Sequence, residues 1–299
     1  MDLRRLQVFA KVYEQRSFSR AAEEVLLSQP TVSGHIKTLE EDLGVSLFDR
    51  LGREIMPTRA AELLYDYAKR ILIMVEEARR AVDAYLGRLS GDLLVGGSTI
   101  PGQYILPLYI GLFRQAHPDV RINLTIADTE LIAGKVLAGE LELGVVGAAL
   151  DDDRLQFSAL WNDELALAVW PDHPLAGKVA GIGDLLRWPL ILREAGSGTR
   201  MSLAASLRKA GVGFDDLTVA AQMGSTTAVI QAVRAKVGMG VLSRRALADD
   251  VAAGRLALVE IKVLDLRRRF HLVMRKRRTH SPAAQAFIAL LKEQRAVAE

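Results

Sequence analysis

The chain has 299 residues, half of them hydrophobic and a quarter charged, with 39 Lys and Arg against 36 Asp and Glu and no cysteine. That length supports two or three domains with cores of their own. The lack of cysteine excludes disulfides, thiolate metal sites and cysteine nucleophiles, and no apolar run approaches the ~20 residues of a membrane span.

The opening stretch, "MDLRRLQVFAKVYEQ", reads as an amphipathic helix without a signal-peptide apolar core, so a cytoplasmic protein is expected. Its apolar face is Leu3, Leu6, Phe9, Ala10 and Tyr13. Ser17 is placed to cap a second helix, "FSRAAEEVLL", and Ser28 a third, "QPTVSGHIKTLEEDLG", with Pro30 in the first turn where a missing N–H costs nothing. The third helix carries its apolar stripe at Val32, Ile36, Leu39 and Leu43. The short gap between helices two and three is that of a helix-turn-helix. "LFDRLGREIMPT" then breaks the helical period around Gly52 and reads as a two-stranded wing.

From about residue 58 to 89 one long helix is expected, without proline and with no glycine before Gly87. Leu64, Ile71, Ala78 and Tyr85 repeat every seven residues, with Tyr67, Met74 and Ala81 between them, an a/d seam that favours self-pairing. Such a helix makes a rod of roughly 45 Å. After "LSGD" the pattern becomes strand–helix alternation, from "LLVGGSTI" to "FHLVMR" and a closing helix. Buried apolar strands alternating with helices mean α/β units on mostly parallel sheets. Passages near Trp161-Asn162-Asp163 and Leu264-Asp265 are the candidate crossovers between two lobes.

Net charge does not identify a partner, because residues 1–59 hold nine basic and nine acidic side chains. Placement is more informative. A recognition helix enters the major groove by its N-terminal end, and there Gln29 is suited to a bidentate pair with adenine and Thr31 to a thymine methyl. Ser33 and Lys37 stand where phosphates pass, and Gly34 adds no side chain. Arg50 and Arg53 on the wing suit the backbone or a narrow minor groove. The Arg267-Arg268-Arg269 and 275–278 runs read as solvated flanks of a strand.

The first sixty residues resemble the N-terminal domain of LysR-type transcriptional regulators. The resemblance rests on Phe9 and Val12, Ser17-Phe18, Ala21-Ala22, "SQPTVS" at 28–33, Leu39-Glu40 with Leu43-Gly44, "LFDR" at 47–50, and Thr58. The rest of the chain matches the family layout, with "SPAAQAFIALL" near its end. Gly34-His35 stands where the family commonly has Arg-Gln, which alters the base contacts but not the role of the helix. The resemblance implies a winged helix-turn-helix over 1–58, a linker helix over 59–89 and an effector domain like a periplasmic binding protein over 90–299. Lobe I would hold 90–161 and 266–299, and lobe II 162–265. It adds Ser17, Ser19, Arg20, Pro30 and Thr58 to the DNA-contacting set. It also implies an interrupted-palindrome promoter site, a homodimer assembling to a homotetramer, and RNA polymerase as a further partner.

Four small-polar turns between strands and helices are the candidate effector site. They contain Ser98, Thr99, Ile100, Pro101 and Gly102; Thr129; Gly196, Ser197, Gly198, Thr199 and Arg200; and Ser225 and Thr226. In open α/β sheets ligands collect at such turns, where helix N-termini present free N–H groups. Hydroxyls, glycines for close approach and Arg200 as counter-charge suit a small oxyanion or carboxylate. The turn "EAGSGTR" also resembles family branches linked to sulfur assimilation and selenium metabolism. Catalysis is not expected. "GSGTR" lacks the phosphate-loop lysine, no G-x-S-x-G elbow exists, and the five histidines are scattered. No cofactor or metal is expected. A solute-binding transport protein would share the two lobes, but not the DNA-binding head.

Overall fold

The computed structural model describes residues 1–51, 54–85 and 89–293. The chain divides into two compact units, residues 1–86 and 87–299.

In the first unit α1 (Leu3–Gln15), α2 (Phe18–Glu24) and α3 (Gln29–Leu43) precede the antiparallel strands β1 (Phe48–Leu51) and β2 (Glu54–Pro57), then α4 (Arg59–Tyr85). Each start is chemically marked. The side chains of Asp2, Ser17 and Ser28 accept the backbone N–H three residues on, satisfying a donor that the helix itself leaves unpaired. Gly44 closes α3 with φ near +67°, a left-handed turn that costs glycine nothing. Leu6, Phe9, Val12, Phe18, Val32, Ile36, Leu39 and Leu47 form the core. Leu43 departs from the expected stripe: as the last helical residue it lies beyond the core and is exposed. Glu40 pins the wing to α3, its Oε1 accepting from the N–H of Leu47 at 2.7 Å and of Phe48 at 3.3 Å.

At about 1.5 Å per residue, the 27 residues of α4 span roughly 40 Å. Its first half packs on the head: Tyr65 stacks on Tyr13 with centroids 4.1 Å apart and donates to Glu14 at 2.9 Å. The expected seam is therefore split, with Tyr67, Met74 and Ala78 left exposed and Leu64 and Ile71 turned to the head. Leu64 and Ile71 are half-buried against the head core, whereas Leu63, Tyr67, Met74 and Val82 are all more than half exposed. Ala78 is exposed as well, while the seam side chains of Ala81 and Tyr85, and Gly87, lie outside the described residues.

The second unit begins with β3 (Gly91–Ser98), a π-helical turn (Pro101–Ile105), α5 (Leu106–Ala116), β4 (Val120–Ala127), α6 (Thr129–Ala138) and β5 (Leu143–Val146). Then come β6 (Leu155–Val169), β7 (Val179–Ala180), α7 (Ile182–Arg187), β8 (Leu190–Arg193), α8 (Gly198–Lys209), β9 (Val219–Met223), α9 (Thr226–Arg234) and β10 (Met239–Ser243). It closes with α10 (Arg244–Ala252), β11 (Ala257–Ile261), β12 (Arg267–Arg275) and α11 (Pro282–Glu293). The main sheet path runs β4-β3-β5-β12-β6-β10-β8-β9.

Parallel pairing is confined to the two ends of that path, β3 with β4 and β5, and β8 with β9 and β10. Between them the long strands β6 and β12 run antiparallel to each other and to their neighbours. They carry the chain from one end to the other, with Arg267, Arg268 and Arg269 opposite Glu164, Asp163 and Asn162. The ladder reaches back to Leu266, whose O accepts from Leu165 N at 2.9 Å beside the expected Leu264-Asp265 passage. A core of Leu165, Leu167, Leu190, Leu203, Met239 and their neighbours belongs wholly to the second lobe. No helix among the described residues is long and apolar enough to cross a membrane.

Candidate functional site

On the head, Gln29, Pro30, Thr31, Gly34 and Lys37 form an exposed face of α3, and Ser19 and Arg20 are exposed on α2. Local bonds orient this face. Gln29 Nε2 donates to Ser33 Oγ at 3.0 Å, and the hydroxyls of Ser28 and Thr31 lie 2.7 Å apart. Among the described residues Lys37 makes one ion pair, a long one to Glu41 at 3.8 Å. A Cβ at Gly34 would meet nothing within 4 Å, so the fold does not require glycine there. Two of the expected contacts are otherwise engaged. Thr58 Oγ1 donates to Ser46 O and accepts from Ala61 N, capping α4, and Ser17 Oγ caps α2. Arg53 and the side chain of Arg50 lie outside the described residues.

In the second unit the turns after β3, β4 and β8 converge. Ser98, Thr99, Ile100, Asp128, Thr129, Gly147, Arg193, Ser197, Gly198, Thr199 and Arg268 line one narrow cleft. The free space between them is about 10 Å³, room for about one water. Two buried guanidinium groups fill it. Arg193, 3% exposed, donates from Nη1 to Thr226 Oγ1 at 2.7 Å and from Nη2 to Thr99 Oγ1 at 3.2 Å, while pairing with Glu194 at 2.6 Å. Arg268 pairs with Asp163 at 2.7 Å and donates to Thr199 Oγ1 at 3.2 Å; Asp163 also accepts from Ser243 Oγ at 2.7 Å. Burial lowers the Arg268 pKa, opposed by the Asp163 charge. Burial pushes the Glu194 carboxyl up, but the Arg193 hydrogen bond and charge outweigh it and hold that pKa lowered.

Helix ends aim at the same place. Asp128 caps α6, accepting from Leu131 N at 2.8 Å. Ser197 and Ser225 cap α8 and α9, accepting from Thr199 N at 3.3 Å and Ala228 N at 3.1 Å. These hydroxyls are thus engaged in capping, and Ser225 does not line the cleft. The glycines serve the packing of chain on chain. A Cβ on Gly198 would lie 2.9 Å from the backbone of Gly147 and from Thr129 Oγ1, and one on Gly196 about 3.0 Å from the Asp128 carboxylate. Gly102 packs against Gly97, where a Cβ would meet Gly102 Cα at 2.6 Å. Pro101, Gly102, Gly196, Arg200 and Thr226 do not line the cleft, and Thr226 is joined to it through Arg193.

The expected counter-charge is the main correction. Arg200 turns away, donating to Gln222 Oε1 at 2.6 Å and Arg193 O at 3.1 Å and lying over the Phe214 ring. The positive charges lining the cleft are Arg193 and Arg268, with the Asp128 carboxylate beside them. Arg193 ends the strand "LILR", every residue of which is buried. Arg268 is the inward arginine of "RRRF", alternating with exposed Arg267 and Arg269 and sharing its side with buried Phe270. Among the described residues no group of histidines and carboxylates could hold a metal ion.

An exposed recognition helix beside a wing, and a two-lobed α/β unit with a cleft at its strand ends, together define a ligand-responsive DNA-binding regulator. Residues 3–62 match the bacterial regulatory helix-turn-helix of the lysR family, and residues 86–296 match the LysR substrate binding domain. The chain belongs to the LysR family of transcriptional regulators. A RuBisCO operon transcriptional regulator of Allochromatium vinosum is 31% identical over 96% of this chain and 94% of its own length. The HTH-type transcriptional regulator CysL of Bacillus subtilis is 29% identical over 96% and 95%. The full-length CbnR structure in complex with target DNA shares the fold, with a TM-score of 0.72 at 23% identity, covering 97% of this chain and 99% of that one.

Proposed function

We propose that this LysR-type regulator senses a small oxyanion or carboxylate in the cleft between its lobes and passes that signal to promoter DNA. The observation that carries the reading is Arg193. It is buried, charged, and bonded at once to Thr99 of the first lobe and Thr226 of the second. An incoming anion offers both the guanidinium and the two hydroxyls a charged acceptor. Since the cleft has room for about one water, entry requires the lobes to part or the arginines to swing. That rearrangement biases a two-state equilibrium, and operator DNA must shift ligand affinity by the same factor. Sulfate and other sulfur oxyanions belong to the class.

In this reading Gln29 and Thr31 read base edges, with Ser33, Lys37, Arg20 and Ser19 on phosphates and Arg50 and Arg53 on the backbone beside them. The exposed stripe Leu63, Tyr67, Met74 and Val82 carries the homodimer, which pairs again into a tetramer on an interrupted palindrome. Contact with RNA polymerase and a cytoplasmic setting complete the proposal. Met74→Asp should dissociate the oligomer in sedimentation and weaken operator binding together, whereas unchanged assembly would place the dimer elsewhere.

A thermal-shift panel of sulfate, phosphate and small carboxylates on wild type, Thr99→Val and Thr199→Val tests the effector class. Stabilisation by a small anion that both substitutions abolish is the expected result. Stabilisation only by large aromatic compounds, or insensitivity to both substitutions, would remove the cleft from the account.

A further inference from the structure

The strands that cross between the lobes also wall a second, larger concavity of about 840 Å³. Arg244, Arg245, Arg267, Arg268 and Arg269 line it, together with Asn162 and three carboxylates, Asp163, Glu164 and Asp265. Arg268 and Asp163 cancel within their buried pair, so Arg244, Arg245, Arg267 and Arg269 against Glu164 and Asp265 leave an excess of two positive charges. The pairing within it is uneven. Arg268 is tied to Asp163 at 2.7 Å, Arg244 to Glu164 at 3.1 Å and Arg267 to Asp265 at 2.9 Å. Arg245 reaches Asp163 only at 3.8 Å, and Arg269 has no ion pair among the described residues. The concavity also receives the positive end of α10, which starts at Arg244.

We propose that this concavity is a second anion site, for a multiply charged phosphate ester or polyphosphate. Three lines of chemistry support that class. The concavity is open to solvent and lined by polar side chains, with room for a small charged molecule that the cleft lacks. Guanidinium groups bind phosphate oxygens bidentately, and Arg244 and Arg267 can keep their carboxylates while doing so, because each has donors to spare. The excess of two charges matches an occupant with at least two negative charges. Such an occupant would touch Arg244 and Arg245 on α10 and Arg267 and Arg269 on β12 together, bracing the crossing strands. Arg268 lines both this concavity and the cleft, so the two sites share one wall. This site is independent of the cleft reading and makes no use of Thr99 or Thr199 as ligands.

Calorimetric titration of the full chain with sodium triphosphate at constant ionic strength tests it, using wild type, Arg244→Gln/Arg269→Gln and Thr99→Val, whose partner Arg193 lies outside the concavity. Both replaced arginines are exposed, so the fold should tolerate the change. Wild type should show one saturable event per chain. The double variant should bind at least tenfold more weakly, and Thr99→Val should stay within twofold of wild type. A smaller loss in the double variant, an equal loss in Thr99→Val, or no saturable binding by wild type would each overturn the proposal. Failure of the oxyanion panel on the threonine variants would leave it standing.

Discussion

The α3 face and the interlobe cleft both carry hydroxyl groups to which we assign recognition, but they hold them in opposite states. Thr31 and Gln29 are exposed, and among the described residues their side chains bond to neighbours one turn away. Thr129, Thr199 and Thr226 are buried, and their partners are 18, 69 and 33 residues distant, at Gly147, Arg268 and Arg193. Water serves an exposed donor until a partner displaces it, so the helix can dock without rearranging. A buried polar group must be satisfied from within. The cleft therefore bonds to itself. In the proposed reading it exchanges those bonds for a ligand's, and that exchange would make it a switch.

The largest test of this contrast is on the buried ion pair. Arg268→Gln would leave Asp163, whose side chain is 1% exposed, without its main counter-charge, and should lower unfolding stability by about 3 kcal/mol. Asp163→Asn with Arg268→Gln should recover most of that loss in urea denaturation. If the single change proves nearly neutral, the cleft is wetter than described.

Next come two substitutions of similar size in different currencies. Gln29→Ala should leave stability unchanged and relax base preference at one operator position by about 1–3 kcal/mol, seen by binding to operator variants. Gly198→Ala should cost about 1–3 kcal/mol of stability, because its Cβ meets the Gly147 backbone, and should weaken the anion response. The same exchange on the head reverses sign. Gly34→Ala, with open space around it, should gain about 0.5–1 kcal/mol from helix propensity. Equal effects at the two glycines would dissolve the contrast.

The smallest effect is a pH dependence. His173 Nδ1 accepts from Leu175 N at 3.1 Å, and the ring meets Trp170 and Trp188 edge-on at 4.4 and 4.6 Å. Burial lowers its pKa from 6.5, as it does those of His271 and His280. The unfolded chain then binds protons first, so stability is full above about 6.5 and falls as the pH drops towards the folded-state values. Thermal midpoints at about pH 7.5 and 5.5 should differ by a few degrees, and by less in His173→Asn. An identical slope in that variant would clear His173 of the effect.

Legibility in the sequence follows the same division. Ser17, Ser28, Pro30 and the wing were readable because a cap or turn is settled within a few residues. The heptad pattern of α4 revealed a period but not which of its positions the head takes up, since only the head's packing shows that Leu64 and Ile71 turn inward while Tyr67 and Met74 do not. The threonines of the cleft stood in recognisable turns. Arg193 and Arg268 did not, because one ends a buried strand and the other hides in a basic run. Strand alternation hints at Arg268, but its partner Asp163 lies 105 residues away across the β6–β12 ladder. Contacts of that separation leave no local mark.

The most direct test is a crystal structure grown with whichever anion of the panel stabilises the protein most. The account predicts density for that anion between the hydroxyls of Thr99 and Thr199, within hydrogen-bonding distance of Arg193, with the Arg193 bonds to Thr99 and Thr226 broken or lengthened. An anion bound only elsewhere, with those bonds intact at 3.2 and 2.7 Å, would contradict it.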